Sequence, residues 1–207
     1  RCFVAKRPRR LPVGSVSSLA AALAQPRVLV VCGAFGLMFA ATTLNSLNLP
    51  LYLTRQLGGE EGSVGLAFAI SPLFEMAFMI GFGHLASRGH QRAVMLLGSA
   101  AAVAYFVLLR FVTAPWHVYP LQVLLAAGVT VTASVAIPFC QDLLPGQPGL
   151  VTSLYSNALK IGSLIGFSSF GLLASRVGHS GLCLVCAGLA SATLLIVAAS
   201  DDATRSG

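Results

Sequence analysis

Residues 181–199 read GLCLVCAGLASATLLIVAA, nineteen consecutive residues without a charged side chain. A helix needs about 20 predominantly apolar residues to cross the hydrocarbon core of a bilayer. Lipid cannot hydrogen-bond an exposed backbone, so a segment this long and this apolar must satisfy its own amides, as a helix does. The stretch therefore predicts a membrane-spanning helix.

Five more apolar stretches precede it, and only 9% of the 207 residues are charged, against roughly 25% in soluble proteins. Short loops join the six stretches, so neighbours in sequence run antiparallel. The sequence predicts an all-α membrane protein, a six-helix transmembrane bundle over 27–199 between a basic cytoplasmic linker, 1–26, and a tail, 200–207. The six predicted spans cover residues 27–53, 63–86, 93–112, 115–138, 150–173 and 181–199.

The Lys and Arg residues indicate how the chain sits in the membrane. Nine of the thirteen lie in the amino-terminal segment, the loop around Arg88 and the carboxy-terminal tail, and three lie in the opposite loops, at Arg55, Arg110 and Arg176. Because short cytoplasmic loops carry the excess of cations, both termini are predicted to be cytoplasmic. The net charge of +7 then indicates topology and not nucleic-acid binding. The chain begins at Arg1, which indicates that further sequence precedes it.

A short internal repeat divides the six spans into two units. LASRGH at residues 85–90 ends the second span, and LASRVGH at 173–179 ends the fifth, displaced by 88 residues with one insertion. Pro50 and Pro138 end the first and fourth spans with the same displacement. A unit of three helices ends on the opposite side of the membrane, so its second copy is inverted. Such 3+3 inverted repeats form each half of major facilitator transporters.

Glu75 is the strongest candidate for a functional residue. It lies near the middle of the second span, three residues after Pro72, where a carboxyl is costly unless it faces a cavity or a partner. Helical spacing predicts one face that combines this carboxyl with aromatic rings, a pattern suited to a sugar and to proton coupling. A carboxyl that only ties helices together is the alternative. The face comprises Phe68, Ser71, Glu75, Phe78 and Phe82.

Amides and one lysine supply the other deep polar groups. Asn45 and Asn48 are spaced i, i+3 on the first span, and Asn157 and Lys160 repeat that spacing on the fifth. The asparagines are candidates for binding substrate hydroxyls or, equally, for interhelical hydrogen bonds. Lys160 lies too deep to reach the interface, so a partner is expected, and Glu75 is the only deep carboxylate in this chain.

No pattern for catalysis or cofactor binding appears. The sequence has no Ser/His/Asp set, no phosphate-binding glycine loop and no zinc-ligand spacing, since no two of the four histidines are spaced i, i+4. Cys32, Cys183 and Cys186 lie inside apolar runs, which favours a packing role. We therefore predict a protein that is not an enzyme and has no metal and no cofactor.

Several strings resemble one known family. The loop GHLASRGHQR at 83–92 is similar to the cytoplasmic loop signature of the major facilitator superfamily, in the version that joins helices eight and nine. NLPL at 48–51, LFEM at 73–76, QDLLPG at 141–146 and LYSN at 154–157 resemble the carboxy-terminal half of bacterial sugar efflux transporters. On this resemblance, gating is expected at Gly83, Arg88, Gly89, Asp142, Pro145 and Gly146.

The resemblance implies a twelve-helix proton-driven exporter of sugars in the bacterial inner membrane. This chain would supply helices seven to twelve, with the lipid bilayer, a sugar, protons and the missing amino-terminal half as its partners. Glu75, Asn45, Asn48, Phe78 and Asn157 are the expected substrate-binding residues, and Glu75 with Lys160 the expected proton-coupling pair. Efflux of a drug or other solute is an alternative, and a truncated, non-transporting membrane fragment is another.

Overall fold

The computed structural model describes residues 26–142 and 147–200, with side chains described from Val28 to Gln141 and from Gln147 to Ser200. Within these ranges the regular structure is helical throughout, with no strand. The predicted basic linker, the tail after Ser200 and the gating residues Pro145 and Gly146 lie outside the described residues, as does the side chain of Asp142.

Six α-helices form the described part of the chain. Short π-helical turns follow α1, α2 and α4, at Tyr52–Gln56, Ala86–His90 and Val131–Val135, and a 3₁₀ turn at Pro115–His117 leads into α4. The α-helices are α1 (Pro26–Leu51), α2 (Glu61–Leu85), α3 (Gln91–Leu109), α4 (Val118–Thr130), α5 (Ala136–Asp142) and α6 (Pro148–Ala199).

Four continuous helical stretches of the described chain are long and apolar enough to cross a membrane: Val28–Gln56, Glu61–Leu109, Pro115–Gln141 and Pro148–Ala199. The second and fourth contain 49 and 52 residues, about twice the length that one crossing needs. Each also contains a glycine with positive φ, Gly89 at 87° and Gly178 at 69°. These glycines occupy matching places in the two copies of the repeat.

Contacts with α1 show that α6 turns back at Gly178. Before the break, a Cβ on Gly162 would meet Gly36, and one on Gly166 would meet Ala40, so the two helices run in the same direction. After the break, Cys186 contacts Ala41 and Thr193 contacts Ala34, so the direction is opposite. The two segments of α6 therefore pack on α1 as an antiparallel pair, which we call α6a (residues 148–177) and α6b (residues 179–199).

The chain also turns back between α2 and α3. The Thr130 hydroxyl of α4 lies 3.5 Å from the Glu75 carbonyl oxygen, while Gly98 of α3 packs against Val131. Residues 75 and 98 therefore lie at the same level beside the end of α4, with the Gly89 turn beyond them. A glycine suits this turn because other residues are strained at positive φ.

Apolar side chains fill two core clusters at different levels of the bundle. One is built around Phe35, Met95 and Tyr155, and the other around Tyr52, Tyr105 and Leu182. Both draw side chains from α1, α3 and α6, so these helices form the centre of the packing. By contrast, α2 is exposed over most of its surface.

The helices continue beyond the two prolines near the ends of the predicted first and fourth spans. Pro50 lies inside α1, which continues to Leu51 and through a π-helical turn to Gln56, and Pro138 lies inside α5. Pro72 likewise lies inside an uninterrupted α2. A proline deletes one hydrogen bond, which a membrane helix tolerates when neighbouring groups compensate for it. Gly89 and Gly178, where the chain turns back, lie in the predicted connections between the second and third spans and between the fifth and sixth spans.

Candidate functional site

The interface between α1 and α6a is built from small residues. A Cβ on Gly162 would collide with the backbone of Gly36, and a Cβ on Gly166 would lie 3.0 Å from the Ala40 carbonyl oxygen. Thr43 and Ser163 add a hydroxyl pair at 3.3 Å across the same interface. Small residues let two helix backbones approach closely, and this approach fixes which face of α6a points outward.

Asn45 and Asn48 both take part in hydrogen bonds between helices. The Asn45 amide donates to the Tyr105 hydroxyl at 3.1 Å, which joins α1 to α3, and its side chain is 3% exposed. The Asn48 amide donates to the His179 carbonyl oxygen at 2.9 Å, and its oxygen lies 2.8 Å from His179 Nδ1. Since an amide oxygen only accepts, Nδ1 carries the proton in this contact.

Sequence reasoning did not identify the partners of these asparagines. Tyr105 is fully buried, and His179 directly follows the Gly178 break. Gln122 is also buried, at 1% exposure, and its side chain lies beside the Tyr105 hydroxyl. The only sequence signal for such residues is a polar group inside an apolar run, which gives no information about which helix it meets.

Glu75 lies on the exposed helix α2, and its side chain is half-buried. The hydroxyl of Ser71, one turn earlier and 7% exposed, donates to Glu75 Oε1 at 2.8 Å. The carboxyl is thus held by a single hydroxyl on its own helix, and no described cation pairs with it.

Aromatic rings continue the Glu75 side of α2. The ring centroids of Phe78 and Phe82 are 5.1 Å apart in a stacked arrangement, and those of Phe74 and Phe78 are 6.4 Å apart. Phe78 itself is half-buried. The structure therefore places the predicted Phe78 one turn beyond the carboxyl, within a short row of rings.

Asn157 and Lys160 are exposed on α6a, on the side turned away from α1. Neither side chain has a hydrogen-bond or ion-pair partner in the described ranges, and the predicted approach of Lys160 to Glu75 does not appear there. The four predicted polar side chains thus form two pairs in different surroundings. Asn45 and Asn48 of α1 are buried between helices, whereas Asn157 and Lys160 of α6a point outward.

The predicted gating residues that the structure describes surround the Gly89 turn. Gly83, Arg88 and Gly89 are all exposed, and a Cβ added at either glycine would meet nothing within 4 Å. Gly89 has φ 87° and ψ 8°, close to the left-handed helical region. The turn therefore has open space on its outer side, and its backbone depends on glycine.

An apolar groove of about 420 Å³ runs between α1, α6a and α6b. Its wall includes Gly36, Leu37 and Ile165, while none of the predicted substrate-binding residues lines it. No group of three or more metal-ligating side chains occurs in residues 26–142 and 147–200. In the middle of the described apolar helices, the polar side chains are one carboxyl, one lysine and a few amides and hydroxyls.

The family model described as Major Facilitator Superfamily matches residues 30–206 of this chain. The chain belongs to the major facilitator superfamily. Together with its apolar helices, this membership makes it a multi-pass membrane protein. The loop around Arg88, on which the resemblance in part rests, lies within the matched residues.

Several named transporters and resistance proteins are similar to this chain in sequence. The chain is 30% identical to "Sugar efflux transporter A" of Dickeya chrysanthemi over 84% of its own length and 46% of the relative. It is 26% identical to "Sugar efflux transporter A" of Escherichia coli K12, over 80% and 42%. It is 34% identical to "Tetracycline resistance protein, class G" of Vibrio anguillarum, over 66% and 33%. The chain thus spans less than half the length of these relatives. No solved structure matches it.

Proposed function

We propose that this chain is the carboxy-terminal half of a transporter that exports sugars in exchange for protons across the bacterial inner membrane. Its helices would cross the membrane six times as a 3+3 inverted repeat, with both termini in the cytoplasm. An amino-terminal half would complete the central cavity. The similarity to proteins named sugar efflux transporters, each covered over less than half its length, supports this proposal.

The observation that carries the mechanism is the carboxyl of Glu75. It lies in the middle of an apolar helix, half-buried, with a hydroxyl donor at 2.8 Å and no described cation beside it. Loss of water disfavours the charged form of a carboxyl, and access to water favours it. A cavity that opens alternately to the two sides would load and release a proton at this group.

Sugar binding is assigned to the same side of α2 and to α6a. Phe78 offers a ring surface to the apolar CH groups of a sugar, and Asn157 offers an exposed amide to its hydroxyls. Asn45 and Asn48 already have interhelical partners, so we assign them to holding α1 against α3 and α6b. The Gly83, Arg88 and Gly89 turn would gate the cytoplasmic end, together with the segment from Asp142 to Gly146.

A second candidate function is export of a drug or another amphiphilic solute. It is favoured by the 34% identity to a protein named for tetracycline resistance and by the apolar groove of about 420 Å³ beside α1. A non-transporting membrane fragment is the third possibility, since the proposed exporter requires a partner half.

The test uses inside-out vesicles that contain the protein expressed from its complete reading frame. We expect radiolabelled monosaccharides or disaccharides to accumulate when the vesicle interior is acidic, and a protonophore to abolish the accumulation. Vesicles without the protein are the control. Accumulation of tetracycline without any sugar would favour the second candidate, and accumulation of neither would contradict both.

A further inference from the structure

Lys160 is a charged group in the middle of a membrane-spanning segment. It lies about 18 Å along α6a from Pro148, at 1.5 Å per residue, and Arg176 is about 24 Å further on. A lysine near a helix end can extend its ammonium to the interface, but one at this depth cannot. The side of α6a that carries Lys160 therefore faces water or protein, and not lipid.

Two hydrogen-bonding groups share this side with Lys160. Ser153, Asn157 and Lys160 follow one another at spacings of four and three residues, which places them on one face of the helix. All three are exposed, and this face is opposite the one on which Gly162 and Gly166 pack against α1. Within the described ranges none of the three side chains has a hydrogen-bond partner on another helix. We call Ser153, Asn157 and Lys160 the α6a polar face.

The described part of the chain offers no counter-charge for this lysine. Of its six acidic residues, only Glu75 lies in the middle of an apolar helix, and that carboxyl accepts its hydrogen bond from Ser71. Glu60 and Glu61 stand at the start of α2. No ion pair to Lys160 is present in the described part of the chain, so its exposed ammonium is open to a group that arrives from outside this bundle.

We propose that the α6a polar face binds an anionic group of the exported sugar, a carboxylate or a phosphate, through the ammonium of Lys160. This inference rests on the proposed sugar export and deepens it by naming the substrate class. If Lys160 instead paired with a carboxylate of the amino-terminal half, the ammonium alone would be sufficient for that ion pair. The amide and hydroxyl beside Lys160 add the donors and acceptors that a polyhydroxylated anion requires.

The physical basis is the strength of a charge-assisted hydrogen bond away from bulk water. Such bonds are roughly twice as strong as neutral ones, and removal of one typically lowers binding by about tenfold or more. An ammonium binds phosphate or carboxylate as a point charge, so arginine is expected to replace it in part. An uncharged sugar gains nothing from the ammonium and should bind independently of it.

The experiment compares sugars that differ mainly in charge. Proteoliposomes with the protein from its complete reading frame are assayed for transport of radiolabelled glucuronate, glucose 6-phosphate and glucose. We expect kcat/KM for at least one of the two anions to exceed that for glucose by about tenfold or more. Lys160→Gln should lower kcat/KM for the preferred anion to about that for glucose, whereas Lys160→Arg should retain part of the preference. Arg176→Gln, which removes a cation from the end of the same segment, is the matched control.

Several outcomes would overturn the inference. One is a wild-type protein whose kcat/KM for glucose equals or exceeds that for both anions. Another is a Lys160→Gln variant in which transport of all three sugars falls equally, as expected if Lys160 pairs with a carboxylate of the other half. Equal export of the three sugars by the wild type would leave the proposed sugar export intact, whereas no transport of any sugar would contradict both proposals.

Discussion

At the scale of single residues, buried polar side chains connect the helices of this bundle. The buried Asn48 makes two hydrogen bonds to the half-buried His179, and Asn45 joins the fully buried Tyr105. Leaving a buried donor or acceptor without a partner costs about 1–3 kcal/mol. These contacts therefore contribute to stability, and the structure assigns them between specific helices.

Asn48→Ala should lower the free energy of unfolding by about 2 kcal/mol, because the His179 carbonyl and ring lose their partners. For a protein of this size, that corresponds to about 4–8 °C in Tm. Thermal unfolding in detergent measures it. The control is Asn157→Ala, an exposed amide of the same type, which should change stability by no more than about 0.5 kcal/mol. Equal effects of the two changes would contradict the assignment.

Sequence reasoning located the polar residues but not their partners. Glu75 was identified from its depth in an apolar run, and the structure places it half-buried beside Ser71. Asn45 and Asn48 were predicted to share a face because they are spaced i, i+3, yet one contacts α3 and the other α6b. Partners on other helices depend on how each helix is rotated in the bundle, which one sequence does not specify.

At the scale of the helices, glycines determine both the close contacts and the turns. Gly162 and Gly166, one turn apart, pack against Gly36 and Ala40 and let the two backbones approach closely. The helical stretches were predictable because length and apolar content decide them. The ends of these stretches were harder to predict, because the helices continue past Pro50 and Pro138. At Gly89 and Gly178 the chain changes direction without a long loop.

Gly162→Ala should destabilise the bundle by about 1–3 kcal/mol, because the added methyl collides with the backbone of Gly36 and drives α1 and α6a apart. Gly171→Ala, on the same segment, is the matched control, since a Cβ there meets nothing within 4 Å. Thermal unfolding of the two variants side by side is the measurement. A stable Gly162→Ala variant would show that the two helices are less closely packed than described.

Arg88→Ala should slow transport several-fold and leave substrate affinity nearly unchanged. Arg88 is exposed at the Gly89 turn, where a gating residue would bias the inward and outward populations without touching the sugar. Initial transport rates at several substrate concentrations separate the two effects. A raised KM with an unchanged maximal rate would contradict the gating role.

At the scale of the whole molecule, proton-driven export depends on how the protein is oriented in the membrane and on the coupling of proton movement to sugar movement. Cysteines introduced as Glu60→Cys and His90→Cys, in a background without the five native cysteines, report the orientation. Both positions are exposed, one before α2 and one after it. A membrane-impermeant maleimide added to intact cells should label position 60 and not position 90. The reverse pattern would contradict the predicted cytoplasmic termini and the export direction.

Glu75→Gln in the complete protein tests directly whether this carboxyl couples protons to sugar export. Glutamine keeps the size of the side chain and an oxygen that accepts from Ser71, but it cannot carry the coupling proton. Glu61→Gln, an exposed carboxylate at the start of the same helix, is the control. Sugar flux is measured down its own gradient and against it, with and without a pH gradient. We expect Glu75→Gln to retain passive exchange and lose uphill export, while Glu61→Gln retains both. Uphill export by Glu75→Gln at the wild-type rate would contradict a coupling role for this carboxyl.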